Sequence, residues 1–222
     1  MLDSIKKATV IAPHPDDETL GVGGTILKLK QKNIDVSCLI VSGHLPPLYK
    51  KENFEQTYKE SKKVFNKYKI KNYEFLKIPA TKVNEVEVYK LNECIKNHLD
   101  NFKPEILFIP FPDRHVDHKC IFESCMVVSR PVGLFYPKMI LAYETLSETH
   151  WNANSIEPDF KPNFFINIDS FIEKKLKILS LYKSQINSYS RSLEPVRSLA
   201  NFRGSQNGCK FAEAFQIIRI IA

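Results

Sequence analysis

The stretch VIAPHPDDETLGVGGTI, residues 10–26, decides both the fold and the place where its chemistry lies. An apolar run ends at His14, and three acidic residues follow a proline before a glycine-dotted apolar segment begins. A buried strand that leads directly into a helix opens a βαβ unit. Ionisable groups crowded at the end of such a strand are desolvated and repel one another unless a positive charge lies among them. The stretch therefore predicts a metal ion at the end of the first strand.

Apolar runs and helical segments alternate along the first two-thirds of the chain. The runs rich in β-branched residues lie at 8–12, 36–42, 73–78 and 105–111, with helical segments at 19–32, 50–68 and 85–102 between them. This alternation predicts an α/β fold with a Rossmann-like, mostly parallel sheet flanked by helices. A further helix at 117–129 and a fifth strand at 138–144 continue this pattern. The last third predicts a C-terminal elaboration of the same domain, with a strand at 163–169, an amphipathic helix at 170–186, and then a short helix, a glycine-containing loop and a final apolar run. We expect one domain over residues 1–222.

Composition excludes several classes of protein. The five cysteines are scattered and odd in number, which argues against a disulfide framework and against a cysteine zinc site. The net charge of +7 arises from lysines that alternate with acidic residues on helix-like segments, so we expect no nucleic-acid partner. No apolar run approaches the ~20 residues of a transmembrane helix. The polar residues 1–7 do not resemble a signal peptide, and we expect a cytoplasmic protein.

A second polar cluster, PDRHVDH at residues 112–118, follows the strand predicted at 105–111. In open parallel sheets, ligands bind beyond the carboxyl ends of the strands, so both clusters are expected at the same edge. Histidine and carboxylate ligands without thiolate suit a catalytic Zn²⁺ that keeps one open position. Such an ion acidifies water and polarises a carbonyl oxygen. The two clusters together predict a hydrolytic metal centre.

Two features near the first cluster have simpler explanations. The spacing of GVGGTI, residues 21–26, is not the G-x-G-x-x-G of a dinucleotide site, and the glycines lie inside the predicted helix. Close packing of that helix on the sheet explains them, and we expect no nicotinamide cofactor. Glu18 is placed in the first helical turn, where a negative charge is favourable.

The two clusters resemble the motifs of the LmbE-like, or PIG-L, zinc-dependent de-N-acetylases. The resemblance extends to LAYETLSET at 141–149, KKLKILSLYKSQ at 174–185 and RGSQNGCKFAEAF at 203–215, so it covers nearly the whole chain. It implies hydrolysis of the N-acetyl group of an N-acetylglucosamine-type sugar or sugar conjugate. The implied cofactor is one Zn²⁺ per chain, with Fe²⁺ as the alternative ion.

The resemblance also implies roles for individual residues. His14, Asp17 and His118 match the three metal ligands. Asp16 matches the general base, and His115, in its protonated form, matches the group that stabilises the oxyanion or protonates the leaving amine. Asp117 lies between the two histidines and is expected to orient an imidazole as part of the catalytic group.

The substrate is less completely determined by the sequence. The loop at 42–56 carries lysines and His44 where an arginine is expected from the family, and Arg191, Arg203 and Tyr143 are candidates either for sugar contacts or for packing. The basic charge favours an anionic sugar conjugate as the small-molecule partner. The alternatives are a metal-dependent amidase or phosphoesterase that acts on a non-sugar substrate. The sequence leaves a homo-oligomer open.

Overall fold

The computed structural model describes residues 5–153, 155–186 and 188–221. Residues 1–4, which belong to the expected polar N-terminus and to the expected domain 1–222, lie outside this part of the chain. One seven-stranded sheet forms the centre of the described fold. Its strands are β1 (Lys7–Ala12), β2 (Asp35–Gly43), β3 (Asn72–Pro79), β4 (Ile106–Pro110), β5 (Met139–Tyr143), β6 (Phe164–Asn167) and β7 (Ala212–Ile220).

The strands lie in the order β3-β2-β1-β4-β5-β7-β6. Strands β1 to β5 are all parallel to one another, an arrangement that requires the helical crossovers between them. Strand β7 runs antiparallel to β5 on one side and to β6 on the other. The prediction of an α/β, mostly parallel sheet is confirmed.

The helices cover both faces of the sheet. They are α1 (Asp17–Gln31), α2 (Lys51–Tyr68), α3 (Val88–Phe102), α4 (Val116–Val128), α5 (Ile172–Leu179) and α6 (Leu193–Ser205). One apolar core lies under α1, α2, α5 and α6, and a second lies under α3 and α4. Strands such as β1 and β4 are buried on both faces, which explains their continuous apolar runs.

The prediction of a single helix over 170–186 is wrong in its C-terminal half. Helix α5 ends at Leu179, and the chain then turns through the bonds Leu181 N–H to Ile178 C=O and Tyr182 N–H to Leu179 C=O. Ser184 donates its hydroxyl to Glu60 of α2 at 2.6 Å, and the Tyr182 hydroxyl reaches Glu18 at 2.8 Å. These tertiary hydrogen bonds outweigh the helical periodicity of the segment.

The glycines of α1 permit close packing, as the sequence predicts. A Cβ atom at Gly21 would lie 2.2 Å from the Tyr143 ring, and one at Gly24 would lie 2.7 Å from the Ile168 side chain. No side chain larger than hydrogen fits at these positions without displacing its neighbours. Helix α1 therefore lies close against the β5 and β6 region, and its first turn is held at the edge of the sheet.

Candidate metal centre and active site

The two polar clusters meet at the carboxyl edge of neighbouring strands. Strand β1 ends at Ala12, two residues before His14, and β4 ends at Pro110, just before the cluster at 112–118. Because β1 and β4 are paired in parallel, both loops leave the sheet side by side. The juxtaposition predicted from the sequence is therefore observed.

A strained turn separates the adjacent aspartates of the first cluster. Asp16 has a positive φ of 112°, a conformation that a non-glycine residue adopts at a cost in free energy. Its N–H donates to Glu18 Oε2 at 3.1 Å, and its carbonyl accepts the N–H groups of Thr19 and Leu20 at 2.9 and 2.8 Å. These bonds hold the turn, which brings Asp16 and Asp17 into different surroundings.

His14, Asp17 and His118 form a compact group of candidate metal ligands. Asp17 Oδ2 lies 3.1 Å from His14 Nδ1 and 3.6 Å from His118 Nε2. Candidate ligand atoms of the three residues all lie within 4.8 Å of one another. Within the described part of the chain, His118 Nε2 is buried without a hydrogen-bond partner. Two imidazole nitrogens and a carboxylate oxygen suit a divalent ion such as zinc, and the orphaned nitrogen is what such a site leaves in the absence of its ion.

Asp117 and Asp113 each hydrogen-bond the imidazole nitrogen that lies away from Asp17, on His14 and His118 respectively. Asp117 Oδ2 lies 2.9 Å from His14 Nε2, and Asp113 Oδ2 lies 3.0 Å from His118 Nδ1. The Thr149 hydroxyl donates to Asp113 Oδ2 at 2.8 Å, and the Thr81 N–H donates to Asp117 Oδ2 at 2.7 Å. When each of these carboxylates accepts a ring N–H from a neutral imidazole, the nitrogen that faces Asp17 is the one whose lone pair a metal would bind on both histidines.

Asp113 belongs to the second cluster, but no role for it is predicted from the sequence. The signal that could have shown its role is its spacing. Asp113 lies five residues before His118 and just ahead of α4, so a carboxylate in the loop can reach back to an imidazole in the first turn of the helix.

A second group, formed by His14, His115 and Asp117, is a weaker candidate for a metal site. His14 Nε2 and Asp117 Oδ2 already form the 2.9 Å hydrogen bond with each other. His115 Nδ1 accepts the N–H of Asp117 at 3.1 Å. The group with Asp17 and His118 is the stronger candidate, because among the described residues it contains a buried imidazole nitrogen, His118 Nε2, that has no hydrogen-bond partner.

The electrostatic field at the ligand group favours positive charge. Burial lowers the pKa of His14, but hydrogen bonds with Asp117 and Asp17 outweigh it and raise the pKa to about 9. Burial likewise opposes protonation of His118, yet Asp113 and Asp17 raise its pKa to about 10. Burial raises the pKa of Asp17, and the two imidazoles bring it well below its usual range. The field that attracts protons here would equally attract a metal cation.

Asp16 lies beside the ligand group but is not part of it. Its Oδ1 atom is buried and has no hydrogen-bond partner among the described residues. Its Oδ2 atom lies 3.9 Å from Nη1 of Arg191. Burial and the charge of Asp17 raise the pKa of Asp16 well above its usual value. A buried carboxylate with a free oxygen can accept a proton, which is what a general base requires.

Arg191 is one of the residues that the sequence left open between sugar contact and packing. Its guanidinium donates to the Ser147 hydroxyl at 3.1 Å and to Glu148 at 3.0 Å. These two bonds hold the positive charge close to Asp16. The other two candidates are packing residues: Tyr143 is fully buried and donates its hydroxyl to the Ile11 carbonyl, and Arg203 forms a buried bidentate pair with Glu144.

His115 differs from the sequence expectation in its charge. Burial, followed by the charges of His14 and His118, lowers its pKa to about 4, so the free protein carries a neutral imidazole near pH 7. His115 Nδ1 accepts the N–H of Asp117, which leaves the ring hydrogen on Nε2. In the free protein His115 thus offers a neutral N–H, whereas the resemblance implies that it acts in its protonated form, which stays a prediction.

Glu18 is more than a favourable charge in the first helical turn. It is fully buried, and burial raises the pKa of its carboxyl to about 7. Its Oε1 atom accepts the hydroxyls of Thr19 and Tyr182 at 2.7 and 2.8 Å. Because its other oxygen accepts the N–H of Asp16, Glu18 links the Asp16 turn to the segment that follows α5.

Comparison with known proteins agrees with this geometry. The family model for GlcNAc-PI de-N-acetylase, PIG-L, matches residues 9–129, which is more than half of the chain and includes both clusters. The chain belongs to the PIG-L family. The family is metal-dependent, and the His14, Asp17 and His118 group offers a possible metal site.

Relatives of this PIG-L protein extend the likeness to the rest of the chain. A diacetylchitobiose deacetylase from Thermococcus kodakarensis is 28% identical over 239 residues, covering 97% of this chain and 84% of the relative. The N,N'-diacetylchitobiose deacetylase structure from Pyrococcus horikoshii superposes with a TM-score of 0.77 at 24% identity, covering 98% and 85% of the two chains. The conserved protein TT1542 from Thermus thermophilus gives 0.79 at 23% identity, covering 100% and 97%.

In the described part of this PIG-L protein, none of the helices has the length and apolar composition needed to cross a membrane.

Proposed function

We propose that this protein is a metal-dependent N-deacetylase that removes the acetyl group from an N-acetylglucosamine-type sugar or sugar conjugate. The observation that carries the proposal is the arrangement of Asp16, a buried carboxylate with a free oxygen, next to the group of His14, Asp17 and His118. The family match and the 28% identical diacetylchitobiose deacetylase support the same reaction and an amino-sugar substrate.

His14, Asp17 and His118 would hold the ion, for which Zn²⁺ is the proposed identity and Fe²⁺ the alternative, one per chain. When bound, a divalent ion supplies Lewis acidity, which polarises the amide carbonyl and acidifies water. Asp113 and Asp117 keep the two imidazoles in the orientation and tautomer that the site requires. Asp117 therefore contributes as a positioning residue.

Asp16 takes the proton of the attacking water as the water adds to the carbonyl carbon. His115, whose hydrogen lies on Nε2, keeps this hydrogen and donates a hydrogen bond to the oxygen on which negative charge develops. The C–N bond then breaks, and the proton held by Asp16 passes to the leaving nitrogen, so the products are acetate and a free amine. Arg191, 3.9 Å from Asp16, contributes positive charge beside the base.

The substrate is proposed to be an anionic conjugate of the amino sugar. Exposed lysines at 50 and 51 lie close after His44, whose ring packs 4.4 Å from Tyr49. Burial lowers the pKa of His44, and the charges of His14 and Arg191 lower it further. Lysines on this loop can hold a carboxylate or phosphate and would mainly lower KM.

The test is acetate release from matched neutral and anionic N-acetylglucosaminides, with zinc supplied and at several salt concentrations. The proposal predicts turnover of both, with a lower KM for the anionic member that rises with salt. Equal KM values for the two substrates would contradict the preference for an anionic substrate and would leave the proposed deacetylase activity in place. Turnover of a phosphoester or a non-sugar amide, with none of any amino-sugar amide, would establish the alternative reaction.

A further inference from the structure

A buried ion pair lies beneath the middle of helix α1. Lys175 of α5 and Glu213 of β7 approach to 2.7 Å between Nζ and Oε1, and their side chains are only 3% and 4% exposed. Neither residue belongs to the ligand group or contacts Asp16. The pair is thus a buried charged element that the reaction described above does not use.

The ion pair binds the backbone of α1 directly. Lys175 Nζ donates to the Leu20 carbonyl at 2.8 Å. Glu213 accepts the N–H of Gly24 on one oxygen and that of Thr25 on the other, both at 2.7 Å. In a regular α-helix, the carbonyl of residue 20 and the N–H of residue 24 bond to each other. Here the buried ion pair provides a further, tertiary partner for both groups, inside a helix that continues to Gln31.

Glycines in α1 make room for this contact. A Cβ atom at Gly23 would lie 3.2 Å from Lys175 Cγ and 2.6 Å from the Tyr68 hydroxyl. A Cβ at Gly24 would meet Ile168 at 2.7 Å. The absence of side chains at these positions thus lets Lys175, Tyr68 and Ile168 pack close against α1.

Leu20 connects the ion pair to the active-site turn. Its N–H donates to the Asp16 carbonyl at 2.8 Å, while its own carbonyl accepts from Lys175. Asp17, a proposed metal ligand, begins the same helical turn. The orientation of that turn is thus fixed at its start by the second cluster and at its end by Lys175.

We propose that Lys175 and Glu213 are positioning residues that set the first turn of α1, and through it the placement of Asp16 and Asp17. The consequence for turnover rests on the proposed function, whereas the consequence for metal affinity does not depend on the substrate. When both side chains are replaced by apolar ones, the Leu20 carbonyl and the N–H groups of Gly24 and Thr25 lose these tertiary partners. The first turn of α1 is then no longer tethered to α5 and β7, and Asp17 is held less firmly relative to His118.

A purely structural role predicts a different outcome. Replacing a buried ion pair with apolar side chains of similar volume is often neutral or stabilising, because the desolvation of both charges is avoided. Stability therefore does not require this pair. A positioning role predicts a variant that is as stable as the wild type and yet binds metal and turns over substrate poorly.

The experiment compares wild type, the double variant Lys175→Met/Glu213→Leu and the single variant Glu213→Gln. Zinc affinity is measured by competition with a chromogenic chelator, thermal unfolding by calorimetry, and kcat and KM on an N-acetylglucosaminide. Leu99→Ala, in α3 under the opposite face of the sheet, is the control for general loss of stability. We expect the double variant to lose at least tenfold in zinc affinity and in kcat, with KM within twofold and an unfolding temperature close to wild type.

Glu213→Gln retains one oxygen that can accept from the helix N–H groups, so its losses in zinc affinity and kcat are expected to be intermediate. If the double variant does not fold, this single variant still tests the proposal. Leu99→Ala is expected to unfold at a lower temperature while its zinc affinity and kcat below that temperature stay at wild-type values. Wild-type zinc affinity and kcat in folded Glu213→Gln and in the double variant would overturn the proposal. If wild type deacetylates no amino sugar, the proposed function fails, but the zinc affinities still decide the positioning role.

Discussion

The Nε2 atom of His14 lies 2.9 Å from Oδ2 of Asp117, although the two residues are 103 positions apart in the chain. One belongs to the loop after β1 and the other to the first turn of α4, so the pair ties the two polar clusters together. The same Asp117 oxygen accepts the N–H of Thr81. A carboxylate held in this way fixes which nitrogen of His14 is available to a metal.

Replacing Asp117 with asparagine should weaken metal binding without unfolding the protein. The amide can still accept one hydrogen bond but does not stabilise positive charge on His14, so zinc affinity should fall by about 10- to 100-fold. Competition with a chelator measures this. Asp100→Asn, at an exposed pair with Lys96, is the matched control and should bind zinc as wild type does. Wild-type affinity in Asp117→Asn would contradict the positioning role.

The adjacent aspartates should separate metal binding from catalysis. Asp17→Asn removes the carboxylate that contacts both His14 and His118, so the variant should bind zinc poorly. Asp16→Asn leaves the ligand group intact and should retain about one equivalent of zinc, with a loss of at least ~10²-fold in kcat from the missing base. Metal analysis and acetate release on the same preparations test both. Loss of zinc from Asp16→Asn but not from Asp17→Asn would reverse the two assignments.

His115 should contribute to the rate and not to metal binding. Asparagine is a good N-cap residue and can replace the acceptor that His115 offers to the N–H of Asp117, while it removes the ring Nε2–H. His115→Asn should therefore stay folded and bind zinc normally, with kcat lower by about 10²- to 10³-fold, the usual effect of losing an oxyanion donor. An unchanged kcat in the zinc-loaded variant would eliminate this role.

The buried pair between Arg203 and Glu144 should stabilise the fold in a pH-dependent manner. Burial raises the pKa of Glu144, but hydrogen bonds with His150 and Arg203 outweigh it and lower the pKa below 4.5. A depressed carboxyl pKa contributes stability that is complete above the unfolded value and is lost as pH falls through the folded value. Arg203→Met should cost about 3–5 kcal/mol at pH 7, because it leaves a buried charge without its main partner.

The difference between Arg203→Met and wild type should shrink as pH falls, and it should be smallest once pH is below the lowered pKa of Glu144, where the carboxyl is protonated in both proteins. Urea unfolding at a series of pH values measures it. Arg197→Met is the control. Arg197 also lies on α6, but its ion pair with Glu173 of α5 is exposed, so the free energy of unfolding of this variant should stay near that of wild type at every pH. A difference between Arg203→Met and wild type that is the same at pH 4 and pH 7 would contradict this account.

Local sequence patterns were sufficient to predict the parallel part of the sheet and the meeting of the two polar clusters, whereas the resemblance to the PIG-L family implied which of their residues are ligands. Strand β1 has a continuous apolar run, and the clusters that contain His14 and His118 follow strands that pair, so periodicity and sheet geometry together bring the clusters to one edge. The pairing of Asp113 with His118 and the approach of Arg191 to Asp16 depend on the conformation of loops. The end of α5 at Leu179 depends on tertiary bonds made by Tyr182 and Ser184. The neutral state of His115 depends on burial and on neighbouring charges, and neither can be predicted from the periodicity of the sequence.

The position of β7 has a consequence for how the protein is made. Strand β6 pairs with β7 and with no other strand in the described chain, and β7 itself lies between β5 and β6. During synthesis, which proceeds from the N-terminus, His14, Asp17 and His118 all emerge well before residue 212. The nascent chain thus carries the complete ligand set while Glu213 has yet to reach α1 and β6 has no neighbour. Only when β7 is added can β6 join the sheet, so the sheet is completed after the proposed metal-binding residues are already outside the ribosome.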